Sequence, residues 1–492
     1  MKRSEKKIIR TNDLSELHGV LHATYAIDVT QLPSKWSEES WYKGLTITPK
    51  SSTSCPLPAL PLNTCYLENG VLHVPRFAGL HMFGAPSADT RTLGVAMNLV
   101  HFTGVLRDVP PQIDATTQVL QQLQSEGGAM LVLPCGFGKT VCSLWVAHQL
   151  SRRTLVIVHS EALADQWRER IHHFLPGATI GKIQKDVVNV DCDFVIAMIQ
   201  SLLKRNYAAE VFNLFGTVII DESHHVAAPT FSKIIPKLPS RYILGLSATP
   251  DRPDGCGAAL EWLMGKIAYK AQRASENVLV HQYAYTTTPQ KVIFNKRGEP
   301  LASTMLSHIA GDERRNNWIL SILQECLQQD RKIIVLSDRL DQLLFFEAAL
   351  VGTSVGRVVG GMKAALREKG FEATVILSTY QYASEGIDIP RLDTLIMATP
   401  RSNIEQSLGR ILREHPTKQT PLVIDIKDPV SLFEAMSWKR HKYYVKQQYK
   451  TTFKTDEDYF KTETAELFFD DSEEVKAPPV KKPKVTELFF DD

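Results

Sequence analysis

The run Leu131-Val132-Leu133-Pro134-Cys135-Gly136-Phe137-Gly138-Lys139-Thr140 leaves this chain few folds to choose from. Its apolar start reads as a buried strand, Pro134 breaks the strand, and a helix-forming stretch runs from Thr140 to Leu150. Glycines on either side of Phe137 let the backbone curl, so that successive N–H groups point into one concavity at a helix N-terminus. Lys139 adds a point charge and Thr140 a hydroxyl suited to magnesium. The candidate phosphate cradle is therefore Leu133, Pro134, Cys135, Gly136, Phe137, Gly138, Lys139 and Thr140. Its match to G-x-x-x-x-G-K-[ST] is incomplete, because Leu133 stands where the first glycine would be. A glycine-containing strand-to-helix turn that binds nothing is the plain alternative.

The surroundings favour the cradle. From Leu106 onward buried strands alternate with helices: Thr154–Val158, Asp193–Ala197, Gly216–Ile220 and Tyr242–Leu246 are apolar without polar alternation. That pattern predicts an α/β fold with a parallel sheet covered on both faces, whose ligands lie at the carboxyl ends of the strands. A second series follows, with helices over Asn316–Gln328 and Leu340–Leu350 and strands at Lys332–Leu336, Val355–Val359, Thr374–Ser378, Leu392–Met397 and Pro421–Asp425. The expected organisation is a small mixed N-terminal domain over 1–105, a first lobe over 106–255, a connector over 256–310 and a second lobe over 311–428. A basic and aromatic extension (429–454) and a disordered acidic tail (455–492) follow. Trp36, Trp41, Tyr42 and Phe77 of the first domain suit either core packing or base stacking.

Three further motifs sit at strand ends. Val218-Ile219-Ile220-Asp221-Glu222-Ser223-His224 delivers two carboxylates from a buried strand, which is costly unless a cation meets them. In a phosphate-binding protein Asp221 would hold Mg²⁺ and Glu222 would orient and deprotonate the attacking water; a helix N-cap is the bland alternative. Leu246-Ser247-Ala248-Thr249-Pro250 ends another strand in small hydroxyl residues. On a helix, Gln406, Arg410 and Arg413 fall at i, i+4 and i+7 and share one face. Guanidinium groups so spaced suit a transferring phosphoryl group, and a solvated basic face is the alternative.

Charge separates the body from its end. The whole chain carries +2, yet residues 455–492 hold 12 Asp and Glu against 5 Lys, which leaves the body basic and suggests a polyanionic partner. Seven scattered cysteines without a C-x-x-C pair indicate a reducing compartment and no zinc site, and no apolar run reaches a membrane span or a signal sequence. The expected location is therefore intracellular. Lys439 to Lys454 interleave basic and aromatic residues, either as a nucleic-acid strip or as a helix packed on the second lobe. Glu466-Leu467-Phe468-Phe469-Asp470-Asp471 recurs at Glu487–Asp492, a duplication that suits two-site docking of a protein partner.

Taken together and in this order, the cradle, Asp-Glu-Ser-His, Ser-Ala-Thr and Gln-x-x-Gly-Arg-x-x-Arg resemble motifs I, II, III and VI of superfamily 2 helicases. Val158–Trp167 resembles motif Ia, and Ala383-Ser384-Glu385-Gly386-Ile387-Asp388-Ile389-Pro390 resembles motif V. Gly-Leu-Ser-Ala-Thr-Pro-Asp-Arg and Asp312–Asn316 are similar to the branch holding xeroderma pigmentosum group B helicases, the phage UvsW enzyme and the transcript-release helicases of large DNA viruses. The branch has Leu-Arg-x-x-Gln before its first helix, with the glutamine as adenine reader, whereas Arg107 and Gln112 are five apart here, a departure from that pattern at Gln112.

The resemblance implies two RecA-like lobes with ATP and Mg²⁺ between them. Lys139, Thr140, Asp221 and Glu222 would come from the first lobe, and Gln406, Arg410, Arg413, Gly386 and Asp388 from the second. The expected activity is ATP-dependent unwinding or remodelling of DNA, with RNA an open possibility and 3′-to-5′ polarity suggested by the branch. An ATP-switched nucleic-acid clamp that recruits partners through its tail is the alternative.

Overall fold

The computed structural model describes residues 19–33, 38–48, 61–98, 100–109, 111–134, 136–223, 233–248, 257–271, 277–288, 290–386, 389–412, 415–416 and 418–459. Both copies of the tail hexapeptide lie outside them, as does Trp36.

The N-terminal unit is a mixed sheet of β1 (Val20–Leu21), β2 (Thr24–Asp28), β3 (Tyr66–Glu68), β4 (Val71–Pro75) and β5 (Ala88–Asp89). The order is β3-β4-β2-β1-β5, with β1 and β5 parallel. Helix α1 (Arg76–Phe83) covers it, and Tyr25, Trp41, Leu72, Val74 and Phe83 form its core. Trp41 thus packs inside, and Phe77 lies against Gly128, where a Cβ would come within 2.0 Å of its ring. Arg76, wholly buried, fastens the unit to the first lobe: its guanidinium donates to the Ser240 carbonyl at 2.8 Å and the Leu238 carbonyl at 2.6 Å.

Residues 92–104 lead from this unit along the first lobe. Val95 N–H donates to Leu214 C=O, Met97 N–H to Ser151 C=O and Thr103 N–H to Phe174 C=O, so the segment runs along the first lobe. Gly94 permits the approach; a Cβ there would sit 2.3 Å from Gly216 N.

The first lobe contains α2 (Gln112–Glu126), β6 (Gly128–Val132), α3 (Lys139–Leu150), β7 (Thr154–Val158), α4 (Glu161–Phe174), β8 (Ile180–Gln184), β9 (Val187–Asn189), β10 (Phe194–Met198), β11 (Thr217–Ile220), β12 (Tyr242–Ser247), α5 (Gly257–Met264) and β13 (Ile267–Lys270). Its strands order as β9-β8-β10-β7-β11-β12-β6-β13, parallel except for the β8–β9 hairpin. The central strands are apolar throughout because both faces are covered. One face packs against α2, α3 and α4, the other against α5 and its neighbours.

The second lobe contains β14 (Leu279–Ala284), α6 (Glu313–Gln328), β15 (Ile333–Leu336), α7 (Leu340–Ala349), β16 (Val355–Val358), β17 (Val375–Ser378), α8 (Tyr380–Gly386), β18 (Thr394–Met397), α9 (Glu405–Ile411), β19 (Leu422–Lys427), α10 (Ser431–Lys446) and β20 (Lys450–Thr455). Its wholly parallel order is β16-β17-β15-β18-β19-β14-β20. Helix α8 touches α4 of the first lobe.

The connector over 256–310 is shared out: α5 and β13 belong to the first lobe, where β13 pairs with β6, while β14 pairs with β19 inside the second. His281 and Gln282 hid β14 from an apolar reading, yet Gln282 is buried because its amide nitrogen donates to Asp425. The extension and the first residues of the acidic tail are part of the lobe. Arg440 and Tyr444 of α10 bond Asp425, β20 pairs with β14, and Asp456 and Tyr459 are buried. No helix among the described residues is long and apolar enough to cross a membrane.

Candidate nucleotide-binding site

The carboxyl ends of β6, β11 and β12 are neighbours, and their loops are tied together by backbone. Leu133 N–H donates to Ser247 C=O at 3.1 Å, and the Ser223 N–H and hydroxyl both donate to Leu246 C=O at 2.8 and 3.0 Å. The cradle, the paired carboxylates and the Ser247 strand end therefore form one rigid floor.

Above it the loop turns through Gly136 at φ +85° and Gly138 at φ +87°, values L side chains rarely adopt. Thr140 lies in the first turn of α3. Lys139 reaches back across the loop: its Nζ is 3.5 Å from Leu133 O and 3.6 Å from Glu222 Oε1. Glu222 takes φ +45°, an unfavourable backbone for a side-chain-bearing residue and of the kind that gathers at functional sites.

Asp221 is buried and doubly bonded. Its Oδ1 accepts from Glu222 N–H at 2.9 Å and its Oδ2 from the indole N–H of Trp167 at 2.8 Å. Burial, then the Glu222 charge, pushes its carboxyl up to about 6, against the pull of Trp167 and Lys139. A carboxylate so costly to ionise fits a cation beside it, and with a hydroxyl at a helix start and substrate phosphates the donor set suits Mg²⁺.

Gln112 is also in contact with the cradle, although not as a free amide. Its Oε1 accepts from Arg107 N–H at 3.0 Å and its Nε2 donates to Phe137 C=O at 3.0 Å. A Cβ on Gly138 would lie 2.5 Å from that nitrogen, so the glutamine seals the outer side of the loop. Pairing alone did not reveal this role, nor the hydrogen bond of Trp167, which joins residues 54 apart. The motif Ia segment did contain Trp167, but nothing in it pointed to Asp221.

The structure thus brings together Lys139, Thr140, Asp221, Glu222 and the described cradle residues Leu133, Pro134, Gly136, Phe137 and Gly138. Arg410 is buried on α9 in the other lobe, with Gln406 on the same helix. Cys135, Asp388 and Arg413 lie outside the described residues, as do His224, Thr249 and the side chain of Gln406; Gly386 ends α8.

Comparison with known proteins covers both lobes. Residues 106–252 match the family described as type III restriction enzyme, res subunit, and residues 316–415 match the helicase conserved C-terminal domain. A protein of Acanthamoeba polyphaga mimivirus named as an ATP-dependent RNA helicase is 36% identical over 398 residues, 78% of this chain and 76% of its own length. A protein of African swine fever virus, also named as an ATP-dependent RNA helicase, is 28% identical over 357 residues, 66% of this chain and 69% of its own. Among solved structures, a DNA-bound ATP-dependent Type ISP restriction-modification enzyme aligns with a TM-score of 0.50 at 16% identity, over 74% of this chain and 33% of that one, a likeness of fold.

Proposed function

The chain belongs to the superfamily 2 helicases of the large-DNA-virus type and hydrolyses ATP, and on that premise we propose that hydrolysis at the carboxyl end of the first lobe drives both lobes along a DNA strand. The observation that carries this reading is the meeting of Lys139, Asp221 and Glu222 at one sheet end, beneath a loop held open by positive-φ glycines.

Loop N–H groups and Lys139 bind the phosphates of ATP. Thr140 and Asp221 hold Mg²⁺, which when bound neutralises charge on the phosphate oxygens. Glu222 accepts the proton of the attacking water. Its 3.6 Å contact with Lys139 keeps the carboxylate aimed into the loop until phosphate draws the ammonium away. On lobe closure Gln406, Arg410 and Arg413 complete the site from α9 and the residues after it, Gly386 approaches from the end of α8, and Asp388 from just beyond it in sequence. Strand contacts fall mainly on phosphates and so tolerate sequence.

The names of the viral relatives favour a second reading, in which the strand is RNA. ATPase stimulation by single-stranded DNA, duplex DNA, forked DNA and RNA, compared at one stated salt concentration, separates the two. Lys139→Ala is expected to abolish the stimulated rate. Hydrolysis at the normal rate in that variant would overturn the site.

A further inference from the structure

Between Ser437 and Thr455 the chain contains no Asp or Glu, and Lys439, Lys442, Lys446, Lys450 and Lys454 are all exposed. The aromatic residues of this stretch divide into two sets. Tyr444 and Tyr449 are buried in the lobe and Tyr443 packs half-buried against the same core, whereas Trp438 is 51% exposed and Phe453 59% exposed.

The two exposed rings belong to one continuous surface. Phe453 pairs with Gln282 across β20 and β14. The Gln282 oxygen accepts from the Nδ1–H of His441 at 2.9 Å, since its amide nitrogen is already given to Asp425. Trp438 stacks on His441, with ring centroids 5.6 Å apart and planes within 8°. Each exposed ring also has an ammonium over it: Lys442 Nζ is 5.4 Å from the Trp438 centroid and Lys427 Nζ 4.8 Å from that of Phe453. This surface lies on the same side of the second sheet as α8 and α9, because Tyr380, Leu408, Ile411 and Tyr444 share one core, and Arg440 donates to Arg401 C=O at 2.7 Å.

We infer that this surface binds single-stranded nucleic acid, with bases stacked on Trp438 and Phe453 and phosphates on the surrounding lysines. The inference rests on the strand-dependent function above and adds a binding area outside the helicase motifs. A row of cations suits any polyanion. Two solvent-facing rings, each beside an ammonium, suit bases that bring their own π-faces between phosphates. The competing polyanion is residues 460–492 of this chain, with nine Asp and Glu against five Lys.

The test is fluorescence anisotropy of the full chain, without nucleotide, on a labelled single-stranded DNA and an RNA of the same sequence. Trp438→Ala with Phe453→Ala should weaken binding roughly tenfold or more. Both rings are more than half exposed, so their loss opens no core cavity, and thermal melting checks the fold. Lys442→Glu with Lys450→Glu should make the plot of log affinity against log salt shallower by about one for each phosphate that is no longer neutralised. Unchanged affinity in the aromatic variant, with wild type binding normally, overturns this inference alone. Wild type that binds neither strand overturns the functional reading with it. A synthetic peptide of residues 460–492 that binds wild type but not the aromatic variant, while strand affinity is equal in both, assigns the surface to the tail and overturns the inference too.

Discussion

The indole N–H of Trp167 donates to the Oδ2 of Asp221 at 2.8 Å, and both residues are buried. Helix α4 is thereby tied to the carboxylate assigned to Mg²⁺, and α4 is also the helix that α8 of the second lobe touches. Partners of this kind orient a metal-binding carboxylate and typically matter ten- to a hundredfold in metal affinity or activity. Trp167→Phe keeps the apolar bulk and removes the donor. The half-saturating Mg²⁺ concentration of the ATPase should rise about tenfold at saturating ATP. A magnesium titration that superimposes on wild type would show that the bond only packs the core.

Gln112 commits one oxygen and one N–H to backbone, at Arg107 and Phe137. Its effect on nucleotide binding should therefore come through the shape of the loop rather than through a base. Removing two hydrogen bonds of about 1 kcal/mol each predicts that Gln112→Ala raises KM about thirtyfold. The rise should be equal for ATP and GTP. Steady-state kinetics with both nucleotides decides it, because a rise confined to ATP would make Gln112 an adenine reader.

Much of the fold was legible because β6, β7, β11, β12, β15 and β17 are unbroken apolar runs, which only a sheet covered on both faces can use. Lys139, Asp221 and Glu222 could be picked out for the same reason, since each follows such a run. The edges of both lobes were not legible. Strand β14 is interrupted by His281 and Gln282, and the partners that make Gln282 tolerable inside, Asp425 and His441, are more than 140 residues away. Strand β20 reads Lys-Thr-Thr-Phe-Lys-Thr, polar because it is an outer strand, so its pairing with β14 left no apolar signature. Likewise, the bond from Trp167 to Asp221 exists only once α4 lies on the sheet.

In the second lobe, Arg315 and Asp428 form a fully buried pair, Nε to Oδ1 at 2.8 Å and Nη2 to Oδ2 at 2.9 Å, with Gln290 adding a bond to Oδ1 at 2.9 Å. Breaking such a pair strands a charge without water. Asp428→Ala should destabilise the protein by about 3–5 kcal/mol, whereas Arg315→Met with Asp428→Leu should recover most of the loss. Urea unfolding of the three proteins checks this, and a double variant as weak as the single one would refute it.

Asp456 fixes the end of the described chain to the second lobe. Its Oδ1 accepts from the Thr286 N–H at 2.9 Å and hydroxyl at 2.6 Å, and its Oδ2 from the Thr287 N–H at 3.0 Å and from the Thr287 hydroxyl. Burial alone would raise this carboxyl, but the bonds from Thr286 and Thr287 outweigh it and hold the group below its ordinary value. A depressed carboxyl favours the folded state above the unfolded pKa near 3.8, and that contribution is lost as pH falls through the lower folded value. Asp456→Ala should therefore cost stability at pH 7, about 1–2 kcal/mol because water can reach the Thr286 and Thr287 donors that lose their acceptor, and less at a pH well below 3.8. The same variant should expose β20, the strand that carries Phe453, to protease. Urea melts at the two pH values measure the difference; an equal gap at both would mean that the carboxylate charge has no part in holding the strand.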